Sequence, residues 1–139
     1  MMEKMRIVIV DDTPIVRERL RDTVHAMGRY QIVGEAGSPA DALAVYERER
    51  PDVMILDMKL QNGTGLDVLQ AVRKTDQHVR IIVWTNFPYE RYRSISKALG
   101  ADYFFWKATE YDQLLETLRT MPDNASPAIL PEGMGPHAR

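Results

Sequence analysis

The stretch Ile7-Val8-Ile9-Val10-Asp11-Asp12-Thr13-Pro14 decides the fold. Its branched apolar run is a strand signal, and the polar punctuation after it is a helix start. Thr13 offers a cap, and Pro14 suits the first helical position, where its missing N–H costs nothing. Beyond it, Ile15, Val16, Leu20 and Val24 are spaced to turn one apolar face toward a sheet, and Gly28 stops the helix. The strand at residues 6–10 and this helix are therefore one βα unit.

The same pattern recurs four more times along the chain. Residues 31–36 form a second strand, Gly37 leads to the cap-and-proline pair Ser38-Pro39, and Ala42, Leu43, Val45 and Tyr46 share a helical face that Pro51 closes. The third strand, 53–56, is continuously apolar, as a strand covered on both sides must be, and runs into Asp57. A loop with Gly63 and Gly65 precedes a helix at 66–73. The fourth strand, 80–84, ends at Thr85, and Pro88 opens an unusually polar helix at 89–99. Tyr103 to Trp106 make the fifth strand with Lys107 at its tip, and Thr109 can cap a last helix carrying Leu114, Leu115 and Leu118. Alternating units of this kind predict a single α/β domain around a mainly parallel sheet. The domain spans residues 1–121, and 122–139, rich in Pro, Gly, Asn and Ser, read as a flexible tail.

Composition narrows the function. A chain of 139 residues is the size of one domain with one core. Its formal net charge of -2 gives no basic field for a nucleic-acid backbone, so direct nucleic-acid binding is disfavoured. Without cysteine there is neither a disulfide nor a thiolate metal site, which suits a reducing compartment. No apolar run approaches the roughly 20 residues of a membrane helix, and residues 7–10 are too short for a signal peptide. The expectation is a cytoplasmic protein without a membrane anchor.

In open parallel sheets, ligands gather outside the carboxyl ends of the strands. Those ends are Asp11 and Asp12, Asp57, Thr85 and Lys107. Three carboxylates at one rim would repel one another without a cation, and oxygen donors lacking nearby His or Cys favour Mg²⁺. Asp57 can then act as a carboxylate nucleophile toward phosphorus, with Lys107 neutralising phosphoryl oxygens and Thr85 donating its hydroxyl. A strand-terminal Asp taken alone is more often a turn or cap residue, and Asp12 competes with Thr13 as cap; the joint pattern reverses those odds.

The motifs Ile9-Val10-Asp11-Asp12, Ile55-Leu56-Asp57, Val83-Trp84-Thr85 and Phe105-Trp106-Lys107 resemble the receiver domains of two-component response regulators, over about residues 5–121. The resemblance is to stand-alone, chemotaxis-regulator-like receivers. It implies a doubly wound (βα)5 fold with the flavodoxin-like strand order 2-1-3-4-5. It further implies Mg²⁺ held by Asp11, Asp12, Asp57 and the Lys59 backbone carbonyl, with Asp57 as phosphoacceptor. Thr85 would be a switch residue, Lys107 the phosphate-pairing lysine, and Phe104 the aromatic rotamer switch. The implied partners are a histidine kinase or phosphotransfer protein and a downstream protein target, reached through the surface of the fourth helix, fifth strand and fifth helix. Tyr89, Arg91, Tyr92, Arg93 and Lys97 on that helix suit a protein partner. The implied state is a monomer or a phosphorylation-dependent dimer.

Some positions depart from the family pattern. Ala108 replaces the proline that often follows the lysine, so a cis peptide there is less expected. Asn86 stands where a small residue is usual, and Lys59 is placed to reach phosphoryl oxygens with its side chain. Lys59 also occupies the position where an aspartyl phosphohydrolase would carry its general acid, which argues for a phosphoacceptor and against a turnover enzyme. A pseudo-receiver that only binds protein, and a receiver cut from a longer transcriptional regulator, are the alternatives.

Overall fold

The computed structural model describes residues 3–87 and 89–122. Its elements are β1 (Met5–Val10), α1 (Pro14–Ala26), β2 (Tyr30–Ala36), α2 (Pro39–Glu49), β3 (Val53–Leu56), β4 (Lys59–Leu60), β5 (Gly63–Thr64), α3 (Gly65–Arg73), β6 (Arg80–Thr85), α4 (Arg91–Ala98), β7 (Tyr103–Trp106) and α5 (Tyr111–Thr120). The main sheet runs β2-β1-β3-β6-β7 with every neighbour parallel. In units of the five predicted strands this is the order 2-1-3-4-5, a doubly wound, flavodoxin-like fold.

Strands buried on both faces explain the uninterrupted apolar runs. Alternate residues of β1, β3 and β6 enter two separate cores. Val8, Met54, Ile81 and Val83 pack with Val45, Tyr46, Val68 and Leu69 of α2 and α3. Ile7, Ile9, Ile55, Ile82 and Trp84 pack with Leu20 and Val24 of α1 and Leu114 and Leu118 of α5. Burying each such large side chain is worth about 1.5–3 kcal/mol.

The predicted helix starts are partly corrected. Ser38 caps α2, its Oγ accepting the Asp41 N–H at 3.2 Å. Thr13 precedes α1, but its side chain makes no cap hydrogen bond, because its hydroxyl turns to Asp12 Oδ1 at 3.2 Å. Ile15, expected on the buried face, is 51% exposed; the face consists of Leu20 and Val24 with Val16 at its edge. Thr109 does not cap α5. Glu110 takes that position, and its carboxylate reaches back to accept the Trp106 N–H at 2.8 Å. The polar fourth helix is shorter than expected, eight residues with Ser96 buried.

The loop after Asp57 is more ordered in form than a plain loop. β4 and β5 make a small antiparallel hairpin whose turn residue Asn62 has φ +63°, a conformation that asparagine tolerates. At the other end of the molecule Pro122, expected in the tail, lends its carbonyl to Arg80 Nη1 at 3.0 Å. The rest of the predicted tail, 123–139, lies outside the described residues.

Candidate functional site

Parallel register brings the strand ends to one rim. Val10 pairs with Leu56 and Leu56 with Val83, so Asp11, Asp57 and Trp84 stand at one level, with Thr85 one residue further. Thr85 pairs with Trp106, which delivers Lys107 to the same edge. The Asp57 N–H donates to the Val10 carbonyl at 2.9 Å and the Lys107 N–H to the Thr85 carbonyl at 2.9 Å, extending the sheet hydrogen bonds into the site. α3 begins directly beside Asp57. A Cβ on Gly65 would lie 2.3 Å from the Asp57 carbonyl oxygen, so only glycine fits there.

Asp11, Asp12, Asp57, Thr85 and Lys107 all meet. One carboxylate oxygen from each aspartate lies within 4.8 Å of the others. The Lys107 ammonium donates to Asp11 Oδ2 at 2.5 Å and to Asp57 Oδ2 at 2.8 Å. The other Asp57 oxygen, Oδ1, accepts the Thr85 hydroxyl at 2.6 Å and the Lys59 N–H at 3.2 Å. Asp11 Oδ1 accepts the Thr13 N–H at 2.9 Å. Asp11, Asp57 and Thr85 are buried, whereas Asp12 is half-buried at the mouth.

The electrostatics are unbalanced. Three carboxylates face one ammonium, and among the described residues no second cationic side chain is ion-paired to them. Burial pushes the Asp11 carboxyl above the usual carboxylate range, and the hydrogen bond from Lys107 only partly offsets this. Burial opposes the charge on Lys107 as well, but the carboxylates of Asp57 and Asp11 outweigh it and hold the ammonium firmly protonated. Oxygen donors alone, close spacing and excess negative charge fit a small, hard divalent cation.

The remaining predicted residues are placed differently. The Lys59 side chain is exposed, and among the described residues it makes no ion pair. Asn86 Oδ1 accepts the Ala108 N–H at 3.0 Å, so it ties down the loop after Lys107. The described residues contain no cis peptide. Phe104 is buried in the core on the Thr85 face of the sheet. Its ring stands edge-on to Trp106 at 4.9 Å, with the Arg93 guanidinium 5.0 Å from its centroid. The aromatic and basic set at the fourth helix divides: Tyr89, just before α4, and Tyr92 cluster edge-on and tilted with Phe87 under Arg91, while Arg93 turns inward to Phe104, Trp106 and Glu110.

One contact has no counterpart in the reading of strand ends. The Trp84 ring lies beneath Lys107, its centroid 5.1 Å from Nζ. Strand alternation alone contains the signal, since Trp84 projects to the face opposite Thr85 and hence to the side of Asp11 and Asp57.

Comparison with known proteins agrees with this architecture. Residues 7–119 match the response regulator receiver domain family, and the chain belongs to it. It is 30% identical over 118 residues to sporulation initiation phosphotransferase F of Bacillus subtilis, covering 85% of this chain and 94% of that protein. It is also 30% identical over 121 residues to the nitrate/nitrite response regulator protein homolog of Haemophilus influenzae, covering 86% of this chain but only 57% of that relative. The chain spans about half the length of several curated relatives that it matches. Among solved structures, it superposes on a LuxR-family two-component response regulator from Aurantimonas sp. SI85-9A1 with a TM-score of 0.77, 27% identity and coverage of 84% and 83% of the two chains.

Proposed function

We propose that this receiver domain accepts a phosphoryl group on Asp57 from a phosphohistidine donor, a histidine kinase or a phosphotransfer protein, and signals through a change of shape. The observation that carries this reading is the Asp57 carboxylate itself, held between the Lys107 ammonium and the Thr85 hydroxyl beside two further carboxylates. An Asp57 oxygen forms the new bond to phosphorus while the bond from phosphorus to the donor nitrogen breaks, its electron pair staying on the donor imidazole. Asp11, Asp12, Asp57 and the Lys59 carbonyl would hold Mg²⁺, which, when bound, supplies charge neutralisation for the phosphoryl oxygens. Lys107, paired with Asp57 at the outset, neutralises phosphoryl oxygens as they arrive, and Thr85 can redirect its hydroxyl from Asp57 Oδ1 to a phosphoryl oxygen. The reaction stops at the acyl phosphate, so the domain is a signalling acceptor with at most slow self-phosphorylation and self-dephosphorylation, and not a turnover enzyme.

Output follows from the displaced hydroxyl. Phosphorylation adds a charge of about -2 at the rim. Movement of Thr85 toward it opens space on the face that Phe104 shares, and Phe104 with Arg93 links that face to α4, β7 and the start of α5. The downstream target is a protein docking on that surface, either directly on a monomer or through a phosphorylation-dependent dimer, in the cytoplasm. No helix of the described residues is long and apolar enough to cross a membrane.

Incubation with acetyl phosphate and Mg²⁺, followed by intact-mass measurement, tests the proposal. One phosphate adduct is expected on the wild-type chain and none on Asp57→Ala. A wild-type chain that stays unmodified would support a pseudo-receiver that only binds protein.

A further inference from the structure

Trp84 lies against the site, yet the proposed reaction leaves it without a task. It follows Val83 on the interior strand β6, pairs across the sheet with Phe105, and is 8% exposed on the face covered by α1 and α5. Its indole forms the floor under the Lys107 ammonium, with Nζ 5.1 Å from the ring centroid. Tyr111 of α5 closes the other side, its ring centroid 5.8 Å away. The ammonium is thus fixed from below by a π face and from the side by Asp11 Oδ2 and Asp57 Oδ2.

Packing alone does not account for an indole here. Buried tryptophan N–H groups usually find an acceptor. Trp84 Nε1 is buried and has no hydrogen-bond partner among the described residues. A leucine or phenylalanine would fill an apolar site between β6 and α5 without orphaning a donor. What indole offers in exchange is the strongest π face for a cation, and the Lys107 side chain, only 14% exposed, is desolvated enough for that attraction to count.

We propose that Trp84 is a positioning residue for phosphoryl transfer, its indole face holding the Lys107 ammonium at the height where it spans Asp57 and the incoming phosphoryl oxygens. This inference rests on the phosphoacceptor reading of Asp57. Without the π floor, a long flexible lysine has more positions to occupy and must be ordered during the transfer step. Trp84 touches no reacting atom itself.

The test combines rates with a signal that needs no reaction. By intact mass, Trp84→Leu should acquire phosphate from acetyl phosphate about tenfold more slowly than wild type, equivalent to about 1.4 kcal/mol. Trp84→Phe, which keeps a π face, should recover most of the rate. Trp84→Leu combined with Lys107→Ala should be no slower than Lys107→Ala alone, because the indole acts only through the lysine. In a Trp106→Phe background, where Trp84 is the sole tryptophan, replacing Lys107 with Met should change the indole emission. Wild-type rates in a folded Trp84→Leu, additive losses in the double variant, or emission indifferent to Lys107 would each overturn the inference. Absence of an adduct on the wild-type chain would instead overturn the phosphoacceptor reading, and this inference with it.

Discussion

At the residue scale, burial of Asp11 works against folding once its carboxyl is ionised. Asp11 is buried beside Asp57, and its carboxyl sits above the ordinary range because burial outweighs the bond from Lys107. A carboxyl whose folded pKa is raised favours folding only while protonated. That contribution is present in acid and is lost as pH rises through the folded pKa. In EDTA at pH 7, Asp11→Asn is therefore expected to stabilise the domain by about 0.5–2 kcal/mol in urea unfolding, a gain that shrinks toward pH 3. An unchanged or lowered midpoint at neutral pH would show that Lys107 compensates Asp11 fully. The residue types of this rim were legible in the sequence, because strand ends in a parallel sheet must converge. Trp84 was only half legible: alternation puts it on the face of Asp11 and Asp57, but its approach to Lys107, two strand positions and one strand away, depends on the register of β6 with β7. Asn86 was legible only as larger than the usual residue at its position; its amide oxygen accepts the Ala108 N–H, which a proline at 108 would not have supplied.

At the element scale, helix ends decide where the cores join. After α3 the chain turns through Asp76, whose Oδ2 accepts the Tyr46 hydroxyl at 2.6 Å and whose Oδ1 accepts the N–H groups of His78 and Val79 at 2.8 and 3.1 Å. This joins α2 to the start of β6. Burial alone would raise the Asp76 pKa, but the Tyr46 hydroxyl and the two amides overcome it and hold the carboxyl below its usual value. The Tyr46 hydroxyl is in turn pushed up to about 12, by burial first and by Asp76 second. A depressed folded pKa stabilises above the unfolded carboxylate pKa of about 3.9 and loses that stability as pH falls through the folded value. Asp76→Ala should cost about 1–3 kcal/mol at pH 7, and wild type and variant should converge in acid; a difference that persists at pH 2 would assign the effect to packing. Elements whose ends are marked by local chemistry, such as Ser38-Pro39 before α2, were predictable to the residue. The start of α5 was not, because Glu110 is recruited by the backbone N–H of Trp106, a contact that depends on how β7 ends and not on the helix's own sequence.

At the scale of the whole molecule, the two cores converge on one polar edge while the opposite edge is pinned by arginines. Arg29 donates to the carbonyls of Leu118, Arg119 and Met121 at 2.7 Å each, and Tyr30 adds its hydroxyl to Leu118, so the last turn of α5 is fastened to the start of β2. Basic groups at a helix C-terminus answer both its dipole and its unpaired carbonyls. Among buried pairs, Arg73 and Asp102, at 3.1 Å, bind α3 to the strand pair β6 and β7, with the Ile81 N–H on the same carboxylate oxygen. A scaffold fixed in this way leaves the carboxyl edge as the place where, on the proposed function, added charge is converted to movement. The alternating βα pattern made this plan readable from the chain, whereas the Arg29 clasp joins residues 89 to 92 positions apart and the Arg73–Asp102 pair residues 29 apart, and neither has a local signature. Asp57 as the acceptor at that edge is best checked by hydroxylamine trapping. After reaction with acetyl phosphate and Mg²⁺, hydroxylamine attacks an acyl phosphate at carbon, releasing phosphate and leaving a hydroxamate that peptide mass spectrometry can locate. The predicted result is a hydroxamate on the peptide containing Asp57 and on no other; a hydroxamate at Asp11 or Asp12, or a phosphate that survives hydroxylamine, would contradict it.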